Sequence, residues 1–145
     1  MVTKIESQLN RKGLSPDVYV IVLNWNRWQD TVECLESLTN LESIEYRVVV
    51  VDNGSTDGSL EKISSWASGN TESCAGLETE NCRKARIEVV AYDRETAEHG
   101  GNEIDENRLA SLSSAQSIVT IAVGENVGFA AGANIGIRYA VSRCA

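Results

Sequence analysis

The chain of 145 residues has the length of one domain and is long enough to bury a core; at 42% hydrophobic and 23% charged it is not a disordered chain as a whole. Thirteen Lys and Arg against 21 Asp and Glu leave a net charge of −8, a field that repels nucleic-acid backbones and anionic membranes. Any phosphate it binds has to be held locally, by backbone amides or a metal.

Residues 1–17 are polar and read as a loosely attached N-terminal arm, without the apolar stretch of a signal peptide. The single proline, Pro16, stands just before the first strand, where a missing N–H does least harm. Val18 to Asn26 is a continuous apolar, β-branched run, the pattern of a strand buried on both faces. Val32, Leu35, Leu38 and Leu41 then recur at helical spacing. Tyr46 to Asp52 predicts a second buried strand, and the turn-rich Asp52 to Ser59 leads into a helix marked by Leu60, Ile63, Trp66 and Ala67. Strand, helix, strand, helix with short links predicts an α/β fold, a parallel sheet flanked by helices.

Residues 68–116 break the pattern. They are polar and acidic, carry one strand-like run (Ile87 to Tyr92), and read as a surface insertion within a domain spanning 18–145. Periodicity returns with a third core strand at Ser117 to Val123, a glycine-rich turn, and a helix from Phe129 to Arg143. No apolar run approaches the ~20 residues of a membrane span, which together with the opening segment points to the cytoplasm. The cysteines Cys34, Cys74, Cys82 and Cys144 form no C-x-x-C pair, and His99 is the one histidine. Free thiols in a reducing compartment are the reading, with Cys34 at an apolar-periodic position; a Cys74–Cys82 bridge is the alternative. His99 is expected to be exposed and idle.

In open parallel sheets, ligands bind beyond the carboxyl ends of the strands. Three segments land there: Asn24-Trp25-Asn26, Asp52-Asn53-Gly54-Ser55, and Gly124 to Gly132. Asp52, set after four valines, can accept a hydrogen bond from the ring imide of uracil or thymine or from a ribose hydroxyl. It can equally cap the following turn, and the two roles need not exclude each other. Ser55, Thr56 and Asp57 are candidate caps for the next helix. Gly124, Gly128 and Gly132 make neither a dinucleotide fingerprint nor a P-loop. Small residues there allow close approach of a ligand, and tight helix–sheet packing explains them as well. Trp25 and Trp28 can stack on a base or sugar, or simply cover the end of the sheet.

VIVLNWNRWQDTVECLESL, VVVVDNGSTDGS and ENVGFAAGANIGIRYA, in this order, resemble the first half of family 2 inverting glycosyltransferases, most closely the rhamnosyltransferase-like members with W-N after the first strand. The resemblance covers Val18 to Ile63 and Ile118 to Ala140. It implies the nucleotide-binding half of a Rossmann-like GT-A fold holding a UDP- or dTDP-sugar, with a glycan or lipid-linked sugar as acceptor and no nucleic acid. By position, Asn24, Trp25 and Asn26 would line the nucleotide pocket, with Asp52 bonding base or ribose and Asn53 beside it. Asn126, Gly128, Ala130 and Asn134 match the N-x-G-x-[AG] segment that closes over the nucleotide. The family's D-x-D, which holds Mg²⁺ or Mn²⁺, and its catalytic base have no counterpart before Ala145. The half-fold is therefore expected to be incomplete at its C-terminus, with no catalytic residue and no metal bound by this chain alone. It would act either as the donor-binding portion of an enzyme or as a non-catalytic nucleotide-sugar module. An unrelated flavodoxin-like binding protein is the third option. A missing neighbour strand would leave Val18 to Leu23 as an open edge prone to homodimer formation.

Overall fold

The computed structural model describes Pro16 and residues 18–41, 44–69 and 86–144. The rest of the expected arm over 1–17 and the Cys74–Cys82 pair lie outside these described residues. Four strands, β1 (Val18–Asn24), β2 (Tyr46–Asp52), β3 (Glu88–Asp93) and β4 (Ser117–Ala122), form one sheet in the order β1-β2-β4-β3. Every pairing is parallel. The connections carry α1 (Trp28–Thr39), α2 (Ser59–Ala67), α3 (Arg94–Glu98) and α4 (Glu103–Ala110), and α5 (Phe129–Cys144) follows β4. The result is a Rossmann-like α/β sheet covered by helices on both faces, as the alternating pattern implies.

β2 makes two covering layers necessary. All seven of its residues are buried, and successive side chains point to opposite faces. Val48 and Val50 pack with Trp28, Val32 and Leu35 of α1 and with Ile63 and Trp66 of α2. Val49 and Val51 pack with Ala97 of α3, Leu109 of α4, and Ile135 and Tyr139 of α5. Each fully buried valine contributes about 1.5–3 kcal/mol, so this short run holds both layers together.

Several expectations shift by small amounts. β1 pairs only with β2, so it is an edge strand of the described sheet and half-buried rather than enclosed on both sides. Leu41 falls beyond α1 and is exposed, while Trp28 begins the buried stripe of that helix. Trp28 is thus a core residue, its ring 5.4 Å from the Lys62 Nζ, and not a stacking platform. Cys34 faces solvent instead of the core.

The larger correction concerns residues 86–116. The strand-like run expected at Ile87 to Tyr92 is β3, which completes the sheet beside β4, and the rest of the segment expected to be irregular carries α3 and α4, lying against the face that α5 covers. Periodicity misses this because polar contacts anchor the segment. Glu106 is buried and accepts from the Tyr92 hydroxyl at 2.9 Å and the Tyr139 hydroxyl at 2.7 Å, and it pairs with the Arg143 Nε at 3.1 Å. Burial and this carboxylate together push both phenols well above their ordinary range. Arg47, buried at the start of β2, donates to the Leu109 carbonyl at 3.0 Å and to Ser117 Oγ at 2.7 Å, tying the end of α4 to the sheet. Asp93 and Asn102 cap α3 and α4 by accepting from the Thr96 and Asp105 N–H groups.

Candidate functional site

Parallel register brings three strand tips to one level, with Asn24 opposite Asp52 and Asp52 opposite Ala122. The backbone keeps them joined past the strands. Asn53 N–H donates to the Asn24 carbonyl at 2.8 Å, and Val123 N–H donates to the Asp52 carbonyl at 3.0 Å.

The side chains add a second layer of connection. Asp52 is only 5% exposed. Its Oδ1 accepts from Asn24 Nδ2 at 2.8 Å and Ser55 Oγ at 2.6 Å, and its Oδ2 accepts from Ser55 N–H at 3.1 Å. The turn-capping role expected of Asp52 is therefore present. A carboxylate oxygen offers about two acceptor directions, so Oδ1 is filled and Oδ2 keeps one open. Asn24 is fixed in turn by Thr31, whose Oγ1 donates to Asn24 Oδ1 at 2.7 Å.

Asn26 adopts a left-handed backbone (φ 51°), which asparagine tolerates better than most residues. Its N–H donates to Ser55 Oγ at 2.9 Å, and its Oδ1 accepts from Thr56 N–H at 2.8 Å. Asn26 thus clamps the β1 tip to the turn after β2. Asn53 performs the matching task toward the glycine-rich turn. Its Nδ2 donates to Asn126 Oδ1 at 3.1 Å and the Gly128 carbonyl at 3.2 Å, while its Oδ1 accepts from Val127 N–H at 3.1 Å.

Gly54 shows how closely these turns approach. At φ +77° a Cβ built there would lie 2.4 Å from the Glu125 carbonyl carbon, with no flexible side chain to give way. Gly132 and Gly136 serve packing, since a Cβ at either would press on Leu23, or on Ile21 and Val51, beneath α5. Close helix–sheet contact is thus observed at both. The N-cap of α2 is Gly58 rather than one of the expected residues, and Asp57, just before it, accepts from the Ser59 N–H at 3.0 Å, where its negative charge suits the start of the helix.

The expected residues do not all converge. Asn24, Asp52 and Asn53 are buried together, and Asn126 and Gly128 meet them through Asn53. Trp25, 52% exposed, lines an open groove of about 330 Å³ with Val22, Leu23, Arg27, Asp30 and Thr31. Ala130 and Asn134 are exposed on α5, outside the network. Ser55, from the segment expected at the crevice but not assigned a ligand contact, takes part in the network, and so does Thr31, to which the sequence gave no place there. The signal for Thr31 was a polar residue on the buried stripe of α1 between Trp28 and Leu35.

Among the described residues, no three His, Cys, Asp or Glu side chains gather into a group able to hold a metal ion. Asp52 is the one carboxylate of the network, and its partners there are amide and hydroxyl groups. His99 is exposed, with its Nδ1 2.8 Å from the Glu95 carbonyl oxygen. No helix of the described residues is long and apolar enough to cross a membrane.

Compared with known proteins, the chain matches the family model of glycosyl transferase family 2 over residues 19–92. That stretch runs from β1 into β3 and includes both Asn24 and Asp52, whereas Asn126 and the helix after it lie outside it. No curated protein and no solved structure gives a match. The matched region is just over half of the chain, which belongs to glycosyl transferase family 2.

Proposed function

We propose that the chain is the donor-binding portion of a glycosyltransferase that holds a UDP- or dTDP-sugar for inverting transfer to a hydroxyl of a glycan or lipid-linked sugar. One observation carries this reading. Asn24, Asp52, Asn53 and Asn126, from three neighbouring strand tips, form a single hydrogen-bonded array at the carboxyl end of a parallel sheet. The open acceptor direction on Asp52 Oδ2 suits one N–H, such as the ring imide of uracil or thymine, or a ribose hydroxyl. A base presenting an acceptor there would meet a carboxylate and be rejected. Trp25 offers a half-exposed face for stacking, and Gly128, Ala130 and Asn134 follow as the closing segment. Trp25-Asn26 after the first strand favours a rhamnosyltransferase-like donor.

In this reading the metal and the catalytic base of the complete enzyme come from residues other than these, since no D-x-D occurs in the 145 residues. The same fact supports a second reading, a non-catalytic nucleotide-sugar-binding module, which shares the pocket and differs only in showing no transfer. Free, exposed Cys34 and Cys144 agree with a cytoplasmic location. Among the described residues no strand pairs with the outer side of β1, which supports a homodimer through that edge.

Calorimetric titration with UDP, dTDP and ADP, each with and without Mn²⁺, tests the pocket. UDP and dTDP are expected to bind, ADP not, and Mn²⁺ to add little. Equal binding of ADP would remove Asp52 from its role.

A further inference from the structure

We propose that Thr31 is a positioning residue that sets the pocket's preference for uracil over cytosine by holding the Asn24 amide; this rests on the nucleotide reading above. An asparagine amide fits its space in two orientations that exchange oxygen and nitrogen. In the buried Asn24 the choice is forced, because Asp52 Oδ1 lies 2.8 Å from one end of the amide and can only accept. That end is therefore Nδ2, which also donates to Ser55 Oγ at 3.2 Å. The carbonyl end is left facing α1, and the Thr31 hydroxyl, itself buried, donates to it at 2.7 Å. Asp52 selects the orientation and Thr31 holds it.

The consequence reaches the ligand through Asp52. With Asn24 and Ser55 both on Oδ1 and the Ser55 N–H on Oδ2, the carboxylate cannot rotate and presents one free acceptor direction. Uracil offers a single ring N–H to such an acceptor. Cytosine presents a bare ring nitrogen at that position, but beside it an amino group that a freed carboxylate oxygen would accept from. Without the Thr31 hydroxyl, the buried Asn24 carbonyl has no donor, the amide leaves its place, and an Oδ1 direction opens. The pocket then binds UDP less well and CDP better.

The test is the ratio of UDP to CDP affinity, measured by titration calorimetry on the full chain. Thr31→Val is expected to lower this ratio about tenfold, the effect of misaligning the one hydrogen bond from the uracil ring N–H to the Asp52 carboxylate. Thr31→Ser, which keeps the hydroxyl, is expected to retain the wild-type ratio. Thr31→Ala replaces Thr31→Val if the valine variant does not fold. Because Thr31 acts through Asn24, adding Thr31→Val to Asn24→Ala should change the ratio no further. A merely structural Thr31 would weaken UDP and CDP equally; an unchanged ratio in Thr31→Val, or a fully additive double variant, overturns the proposal. A wild-type chain without any preference for UDP over CDP overturns the pocket reading itself, and the role of Thr31 with it.

Discussion

Replacing Gly54 by alanine tests whether the turn after β2 and the glycine-rich turn are pressed together as one unit. Two costs arise. An alanine in the left-handed region costs about 1–2 kcal/mol wherever it stands. At Gly54 the new methyl would also lie 2.4 Å from the Glu125 carbonyl carbon and 2.6 Å from the Asn126 nitrogen, both backbone atoms. Overpacking of this kind adds about 1–3 kcal/mol, or about 2–5 kcal/mol in all. Gly58 is the internal control, because its φ of +75° nearly equals the +77° of Gly54 while the nearest atoms to a Cβ are side-chain atoms at 3.8 Å and 3.9 Å. The difference between Gly54→Ala and Gly58→Ala therefore isolates the steric contact. Urea unfolding, with the midpoint compared at constant slope, measures it. Gly54→Ala should also weaken UDP binding by pushing Asn126 away from Asn53, whereas Gly58→Ala should not. Equal stability losses in the two variants would show that the turns do not touch, and the joined pocket would fall with them.

Two further outcomes follow from packing and charge. Tyr92 and Tyr139 have phenols raised above 10.0 by burial and then by Glu106, so the unfolded chain ionises first. The stability they contribute is complete below pH 10 and falls as pH rises beyond it; urea midpoints from pH 8 to 11 should decline steeply above 10, less so in Tyr139→Phe, and a flat profile would contradict this. The edge of β1, which pairs with no other strand among the described residues beyond β2 and leaves Val18 43% exposed, should give concentration-dependent dimers in sedimentation velocity that Val18→Lys weakens. Monodisperse monomers at all concentrations would refute edge pairing.

The parts of the fold legible in the sequence are those where one physical signal acts alone. Four valines ending in Asp52 can only be a strand crossing the interior, and the parallel register then places Asn24 beside Asp52 without further information. Within residues 86–116 only the strand-like run Ile87 to Tyr92 is legible, because α4 buries a carboxylate among two phenols and an arginine instead of an apolar stripe, and no periodicity reports such a contact. Thr31 was overlooked for the same reason: its partner lies seven residues away on another element, and only the folded chain brings the two hydroxyl and amide groups together. Asn53 was visible only as a neighbour of Asp52, although it is the residue that links β2 to Asn126. Trp28 shows the converse case, an aromatic whose chemistry suggested a ligand and whose position in α1 makes it core.

Amide chemical-shift mapping during a UDP titration of the ¹⁵N-labelled chain tests the shared pocket most directly. The N–H groups of Asn26, Ser55, Val127 and Gly128 should move together and saturate with one Kd. Shifts confined to a single strand tip, or centred on α3 and α4, would contradict the claim that the three tips form one nucleotide site.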